Sequence, residues 1–262
     1  MTEEMSAAVD RPQIEASWLT PLKALLRADT AAQLRSYRAL ALTLVLPLIV
    51  LVVTSSGKRA AQFGSPDIRV GLALTVGMVS IGAIAYSTAT AQDRDRGVFQ
   101  RLRVTPAPTW TIMGSRWIVQ AVAVLLMSVV VLVVAGVVQG VQLSADGYVL
   151  TLMVALLGGA VFLSIGQAIV GLIPSAETLN AAGRLLYLPL IFLSLFGHTN
   201  ALGTPIELIS RWSPGGCVET LLSAAMGASA WSGEAWGALL ASAAYVLVFA
   251  GVGIRWFRWA GR

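Results

Sequence analysis

The sequence of 262 residues contains one cysteine and one histidine, Cys217 and His198. A single cysteine cannot form a disulfide within the chain, and these two residues are too few to build a Cys/His metal cluster. The only lysines are Lys23 and Lys58, and neither follows the glycine-rich turn with which a P-loop binds nucleotide phosphates. The chain therefore cannot hydrolyse ATP through a P-loop of its own.

Charged residues are also scarce, at 12% of the sequence, while 56% of the residues are hydrophobic. A soluble domain has about 25% charged residues. The mean hydropathy is +0.77. A surface that faces lipid needs no ions, and each Asp, Lys or Arg at the centre of a spanning helix costs ~2.5–3.5 kcal/mol. The composition therefore indicates an integral membrane protein.

Six apolar stretches approach or exceed the ~20 residues that a helix needs to cross a bilayer. They contain no Asp, Glu, Lys or His, and Arg116 lies near the start of the third; the stretches are 39–54, 70–91, 112–138, 148–173, 185–197 and 235–254. The first and fifth are short and contain Pro47 and Pro189, which favours kinked or partly re-entrant spans. We predict an all-α membrane protein with six transmembrane helices.

The remaining segments complete the predicted domain organisation. Residues 1–17 are polar and acidic, without the apolar core of a cleavable signal peptide, and are predicted to form a mobile cytoplasmic tail. Residues 18–38 have helical apolar spacing and are predicted to form an interfacial helix, with an ordinary solvated helix as the alternative. Residues 39–262 are predicted to form a single six-span transmembrane domain. Its long external connection, 198–234, includes an apolar run that is typical of a re-entrant or interfacial helix.

Basic residues are distributed asymmetrically among the connections. With the N-terminus inside, fourteen of the 18 lie in cytoplasmic segments, and four lie outside: Lys58, Arg59, Arg69 and Arg211. This bias predicts that both termini are cytoplasmic, with the chain in the plasma (inner) membrane. Topology also explains the net charge of +5, so no nucleic-acid partner is expected.

The spans also lack the groups that would supply energy or perform chemistry. A proton-driven carrier usually places acidic or histidine side chains inside the bundle, and an embedded hydrolase needs a carboxylate pair, a Ser–His arrangement or a metal. Sodium coupling through carbonyls and hydroxyls at broken helices remains open. We expect the protein to take its energy from a partner.

The connection between the second and third predicted spans is the most distinctive segment. Val98, Phe99 and Leu102 share one face of a short predicted helix, and Pro106 ends that helix at about residue 104 or 105. Such a helix is suited to dock in a groove of a soluble protein. On spacing alone, a basic loop that fixes topology and touches anionic lipid is equally compatible. The candidate docking residues are Asp93, Arg94, Asp95, Arg96, Gly97, Val98, Phe99, Arg101, Leu102 and Arg103.

The same connection resembles a family signature. Its order of Asp95-Arg96-Gly97, Phe99, Arg101-Leu102-Arg103 and Thr105-Pro106 is similar to the acidic-Arg-Gly…Leu-Arg…Thr-Pro pattern of type-2 ABC transporter permeases. The resemblance extends over nearly the whole chain, through the interfacial helix, the fifth span with Tyr187-Leu188-Pro189-Leu190, and an external re-entrant pair at 205–226. The sequence departs from the pattern at Asp95, where Glu is commoner, and at Gly197-His198, which replaces an external Ser-Gly.

The resemblance implies a half-transporter. Two permease chains, identical or related, would pair in the lipid, and each would dock a cytoplasmic ABC ATP-binding subunit through residues 93–105. ATP and magnesium would bind that subunit, so no cofactor is expected on this chain. The expected activity is export of a hydrophobic or amphipathic compound, such as an antibiotic or a lipid-like molecule. The alternatives are a permease for a lipid-linked glycan or polymer, and a membrane scaffold that transports nothing.

Some residues within or near the spans have a predicted role of their own. Tyr187, Phe192, Phe196 and Glu219 are candidates for an external gate or substrate path, and the alternative for Glu219 is a solvated or helix-capping carboxylate. Small-residue faces such as Gly77 and Gly82 favour packing within the chain over a dimer seam. Glutamines, including Gln120 and Gln167, are expected to form hydrogen bonds between helices.

Overall fold

A computed structural model of the protein describes residues 19–35, 37–56, 63–103, 109–196 and 204–256. The regular secondary structure in these ranges is helical, which confirms the all-α prediction. The helices are α1 (Leu19–Arg35), α2 (Tyr37–Ser55), α3 (Pro66–Asp95), α4 (Val98–Arg103), α5 (Thr109–Gln139), α6 (Ala145–Leu172), α7 (Ala176–Phe196), α8 (Thr204–Trp212), α9 (Pro214–Ala225) and α10 (Gly233–Arg255). Within α3, residues Val79–Ala85 form a π-helical stretch.

Four of the helices in the described ranges are long and apolar enough to cross a membrane: α3, α5, α6 and α10. They hold the second, third, fourth and sixth predicted stretches. The first predicted stretch lies in α2, whose apolar part Thr43–Ser55 is short for a span. The fifth lies in α7, apart from Gly197, which is outside the described residues. The count of six spans stays a prediction.

The surfaces of α5 and α10 explain why the sequence is so apolar. Large aliphatic side chains on these helices point outward, with Val133 62%, Val137 83%, Leu240 72% and Leu247 74% exposed. A continuous apolar surface of this kind is unfavourable in water and is compatible with lipid. The exposed faces of these two helices are therefore suited to contact with lipid.

The first half of α3 lies at the centre of the bundle. Its residues from Val70 to Met78 are all buried, and it packs against α2, α5, α6 and α9. A Cβ at Gly77 would lie 2.5 Å from the sulfur of Met127, and one at Gly82 would lie 2.7 Å from the backbone nitrogen of Leu163. Both glycines therefore permit close packing within this chain, as predicted.

Polar side chains connect the helices at intervals along the bundle. The Gln120 amide of α5 donates to Gln33 of α1 over 3.2 Å, and the Tyr86 hydroxyl of α3 donates to Gln167 of α6. These contacts confirm the expectation of interhelical bonding for both glutamines. They also show how α1 is held. This helix has no buried residue of its own, and these polar contacts contribute to its attachment to α5.

The predicted external segment 198–234 contains two helices in its described part, which begins at residue 204. Ser213 separates α8 from α9, and its hydroxyl accepts a hydrogen bond from the Gly216 nitrogen at 3.1 Å, which caps α9. Tyr245 of α10 donates to the Trp212 carbonyl over 2.7 Å. Most residues of α9 are buried. The pair lies at the end of the bundle where α3 begins, because α9 packs beside Gly71.

Candidate functional site

The turn between α3 and α4 depends on Gly97. The last turn of α3 closes with hydrogen bonds from the Arg96 nitrogen to the Gln92 carbonyl and from the Gly97 nitrogen to the Arg94 carbonyl, both 3.0 Å. Gly97 has a φ of +72°. This backbone conformation is unfavourable for any residue that has a side chain. The next helix, α4, begins directly after this glycine, at Val98. The glycine of the predicted signature is thus a requirement of the backbone.

Arg94 points into the protein. Its side chain is 1% exposed, and its guanidinium donates to the carbonyls of Val170 over 2.8 Å and Ile173 over 2.9 Å. Both carbonyls belong to the C-terminal end of α6, where the helix dipole is negative and the last carbonyls lack helical partners. Arg94 therefore caps α6 with a positive charge.

Asp95 binds the next helix. Its carboxylate accepts a hydrogen bond of 2.9 Å from the backbone nitrogen of Ala176, the first residue of α7. A carboxylate is favourable there, because the first amides of a helix are unpaired and carry partial positive charge. Its other oxygen lies 3.6 Å from Nε of Arg94. Two consecutive residues of opposite charge thus bind the two sides of the α6–α7 junction.

A second set of contacts attaches the turn to α5. Arg116 forms an ion pair of 2.6 Å with Asp93, and its guanidinium lies 4.8 Å from the ring centroid of Phe99. Phe99 is 0% exposed, so the ring and the cation interact away from water, where such contacts are strongest. This arrangement fixes α4 against the start of α5.

The attachment continues from α5 to α1. The hydroxyl of Ser115 donates to the Asp29 carboxylate over 2.6 Å. Burial raises the pKa of Asp29 above its ordinary value, while the Ser115 hydrogen bond and the charge of Arg116 lower it and the charge of Asp93 raises it. The turn is therefore connected through side chains to α1, α5, α6 and α7.

The outer surface of the turn is polar and basic. Arg96, Gln100 and Arg101 are exposed, whereas Val98 and Leu102 are half-buried. Phe99, which the sequence places in an apolar docking ridge, instead packs inside this chain. The Arg103 side chain and residues 104–108 lie outside the described part, so the predicted helix end at 104 or 105 is untested there.

The predicted gate residues are distributed over two helices. The Tyr187 hydroxyl of α7 lies 3.2 Å from that of Ser80 in the π-helical stretch, and Phe192 is 48% exposed. Phe196 ends α7, and its side chain is outside the described set. Glu219 is buried in α9. The solvated carboxylate that the sequence left open as an alternative is therefore not observed. No group of three or more His, Cys, Asp or Glu in the described ranges could hold a metal ion.

Sequence reasoning did not find the partners that give the turn its structure. Arg116 was counted only among the cytoplasmic basic residues and was not proposed as part of a site. Nothing in the sequence marks the backbone carbonyls of Val170 and Ile173 as partners of Arg94. One signal for Arg116 exists, because it is an isolated charge at the start of a strongly apolar stretch. Such a residue usually has a partner inside the protein.

Comparison with known proteins completes the assignment. The family model described as ABC-2 type transporter matches residues 20–226, from α1 through the end of α9. No curated protein matches the chain. The match includes the α3–α4 turn and all of its contacts to α1, α5, α6 and α7. The chain belongs to the ABC-2 type transporter family, as the membrane-spanning permease component.

Proposed function

We propose that the chain is the transmembrane permease subunit of an ATP-driven ABC exporter. It moves a hydrophobic or amphipathic compound, such as a drug or a lipid-like molecule, out of the cell. A separate cytoplasmic ATP-binding subunit supplies the energy and carries the ATP and magnesium, and a second permease chain completes the transporter. The α3–α4 turn is the observation that carries this proposal.

The turn has the two properties that a coupling element needs. Its outer surface offers Arg96, Gln100 and Arg101 to a partner. Its inner side is fixed by short contacts, with Arg94 on the end of α6 and Asp95 on the start of α7. A force applied to α4 therefore reaches several helices through charged hydrogen bonds, which are stronger and shorter than neutral ones.

Further polar contacts extend this path along α3. The Thr88 hydroxyl donates to Asn180 of α7 over 3.4 Å, one turn from the α6–α7 junction. The Ser80 and Tyr187 hydroxyls meet deeper in the bundle. Movement of the turn would therefore be transmitted to α6 and α7 as well as to α3 itself. We propose that α7, which carries Tyr187 and Phe192, borders the substrate path.

The proposed arrangement in the membrane is inferred from the distribution of basic residues among the connections between spans. Six spans, formed by α2, α3, α5, α6, α7 and α10, place both termini and the α3–α4 turn in the cytoplasm. In this arrangement α1 lies at the inner interface, and α8 and α9 form an external re-entrant pair. The plasma (inner) membrane is the expected location. Burial of α9 among the ends of α3, α6 and α7 supports the re-entrant position.

The experiment uses the transporter reconstituted with its ATP-binding subunit in proteoliposomes. Arg101→Glu reverses an exposed charge on α4, and we expect it to reduce both subunit association and ATP hydrolysis by on the order of tenfold. Arg27→Glu makes the same change on the exposed face of α1 and should leave both nearly unchanged. Wild-type association and turnover in the Arg101 variant would refute the docking role of the turn.

A further inference from the structure

Glu219 of α9 is a buried carboxylate whose oxygens have no completed hydrogen bond or ion pair among the described residues. The residue is 1% exposed, and neither of its carboxylate oxygens has a hydrogen bond to the described protein. An isolated ionised carboxylate in such a place is very unfavourable, so buried charges are normally paired. Nothing in the packing of α9 requires a carboxylate here, because its other buried faces are lined by residues such as Val218, Leu221 and Leu222.

The carboxylate lies where three helices meet. A Cβ at Gly71 of α3 would be 3.7 Å from the Glu219 Cγ, so the glycine leaves room for this side chain. Ser194 of α7 faces the carboxyl group, yet its hydroxyl also lacks a completed hydrogen bond. Asp67, one turn before Gly71, adds negative charge to the same region.

None of the described basic side chains at this end of the bundle forms an ion pair with Glu219. Arg211 binds Glu234 over 2.5 Å and Glu207 over 3.3 Å. Arg69 places one guanidinium nitrogen 3.5 Å from the Thr54 carbonyl. Its Nε has no hydrogen bond among the described residues, but its charge is not among those that act on Glu219. The carboxylate therefore has no cation of this chain available to it among the described residues, and the nearby Asp67 makes the region attractive to a cation from outside.

The helix that covers Glu219 contains a proline. Pro189 lies inside α7, five residues before Ser194, and removes one helical hydrogen bond, so the outer part of the helix can bend at that point. Bending away from α9 would move Ser194 away from the carboxyl group and uncover it. Access to Glu219 is then linked to opening of the external end.

We propose that Glu219 binds the positively charged group of an amphipathic organic cation at the external end of the transport path. In the closed structure the carboxyl group is neutral and carries a proton. When α7 moves away, the proton leaves to water, the carboxylate pairs with the cation, and the same carboxylate takes up a proton again after the cation departs. This inference rests on the proposed function and specifies its substrate class.

The test is binding of tetraphenylphosphonium, a permanent cation, to the complete transporter in detergent, measured by equilibrium dialysis. We expect Glu219→Gln to weaken binding roughly 30-fold, because the ion pair is lost while the shape is kept. Neutral triphenylphosphine oxide should bind both proteins equally. Glu207→Gln, a matched change on α8 beside Arg211, should leave cation binding unchanged, and Glu219→Asp should retain part of it.

The pH dependence distinguishes charge pairing from packing. Burial raises the pKa of Glu219 to about 8, with Ser194 opposing and Asp67 adding to the rise. Since the cation competes with the proton, its affinity for the wild type should increase roughly tenfold from pH 6 to pH 7 and level off above pH 8. The Glu219→Gln variant should show no such rise.

Two results would overturn the cation site. One is the absence of tetraphenylphosphonium binding by the wild type, and the other is equal binding by the wild type and a folded Glu219→Gln variant. The proposed function would fail in a different measurement, the association assay. A chain that never associates with an ATP-binding subunit could still bind the cation through Glu219. The association assay and the binding assay therefore separate the two proposals.

Discussion

Arg94 and Glu219 are both 1% exposed, and they lie near opposite ends of α3, roughly 35 Å apart by the rise of a helix. Arg94 places two of its nitrogens on carbonyl oxygens within 2.9 Å. Glu219 has no completed hydrogen bond to any residue that the structure describes. A buried charge whose partners are supplied by the fold maintains structure, whereas one without partners is available for a ligand or a proton. This contrast distinguishes the end of the bundle at the α3–α4 turn, the transmission end, from the end at Glu219, the binding end.

Removing the Arg94 charge is expected to have the largest effect. In Arg94→Gln the buried carbonyls of Val170 and Ile173 lose charged hydrogen bonds, at a cost of about 3 kcal/mol in unfolding free energy. The thermal midpoint in detergent, followed by the fluorescence of the eight tryptophans, should fall by several degrees. In the reconstituted complex, transport per ATP hydrolysed should also decline.

Arg96→Gln is the matched control, because Arg96 is exposed on the same turn and surface changes usually alter stability little. An equal midpoint for the two variants would remove the distinction between an inner, structural side of the turn and an outer, docking side.

Glu219→Gln should change how the stability of the protein depends on pH. The pKa of Glu219 is raised from 4.5 to about 8, so the folded protein binds more protons than the unfolded chain between these values. Its contribution to stability is therefore present below pH 4.5 and is lost as the pH rises through 8. The thermal midpoint of the wild type should decline from pH 5 to pH 8 more steeply than that of the variant. Parallel curves would contradict a buried, unpaired carboxyl group.

Phe99→Leu should give an intermediate effect at the transmission end. It keeps an apolar side chain in place but removes the ring beneath Arg116, which we expect to cost roughly 1–2 kcal/mol in unfolding free energy. Denaturation midpoints in detergent would measure the loss. Val98→Leu on the half-buried neighbour should change the midpoint little, and an equally small effect at Phe99 would contradict its interior position.

Tyr187→Phe should have the smallest effect on stability, since it removes one half-buried hydrogen bond to Ser80, worth about 1 kcal/mol. If α7 borders the substrate path, the Michaelis constant for transport of an amphipathic dye should change more than the thermal midpoint does. A change in the midpoint alone would assign Tyr187 to packing.

The sequence predicted the helical class and the short helix after Asp95, because these depend on composition and local backbone preference, and Gly97 entered through the resemblance to the family signature. It did not predict which way α4 faces. Helical spacing shows that Val98, Phe99 and Leu102 share a face, but only the tertiary contacts with Arg116 decide that Phe99 points inward. For the same reason Arg94 was expected to meet a partner subunit, whereas its observed partners are carbonyls 76 and 79 residues away.

Glu219 was recognised from sequence as a candidate only by its residue type and segment. Its burial depends on Gly71, which lies 148 positions earlier in the chain and leaves room for the side chain. Spacing within α9 places Gly215 and Glu219 on one face, yet gives no information on which helix covers that face. Long-range packing, rather than local pattern, therefore defines the candidate cation site.

The most direct test of the central claim places a photo-cross-linking amino acid at Gln100, on the exposed side of α4, in cells that produce the complete transporter. We expect a covalent product with the ATP-binding subunit from position 100, and none from the exposed control position Arg27 on α1. Absence of that product, together with labelling of position 100 by a reagent confined to the outside of the cell, would contradict the account.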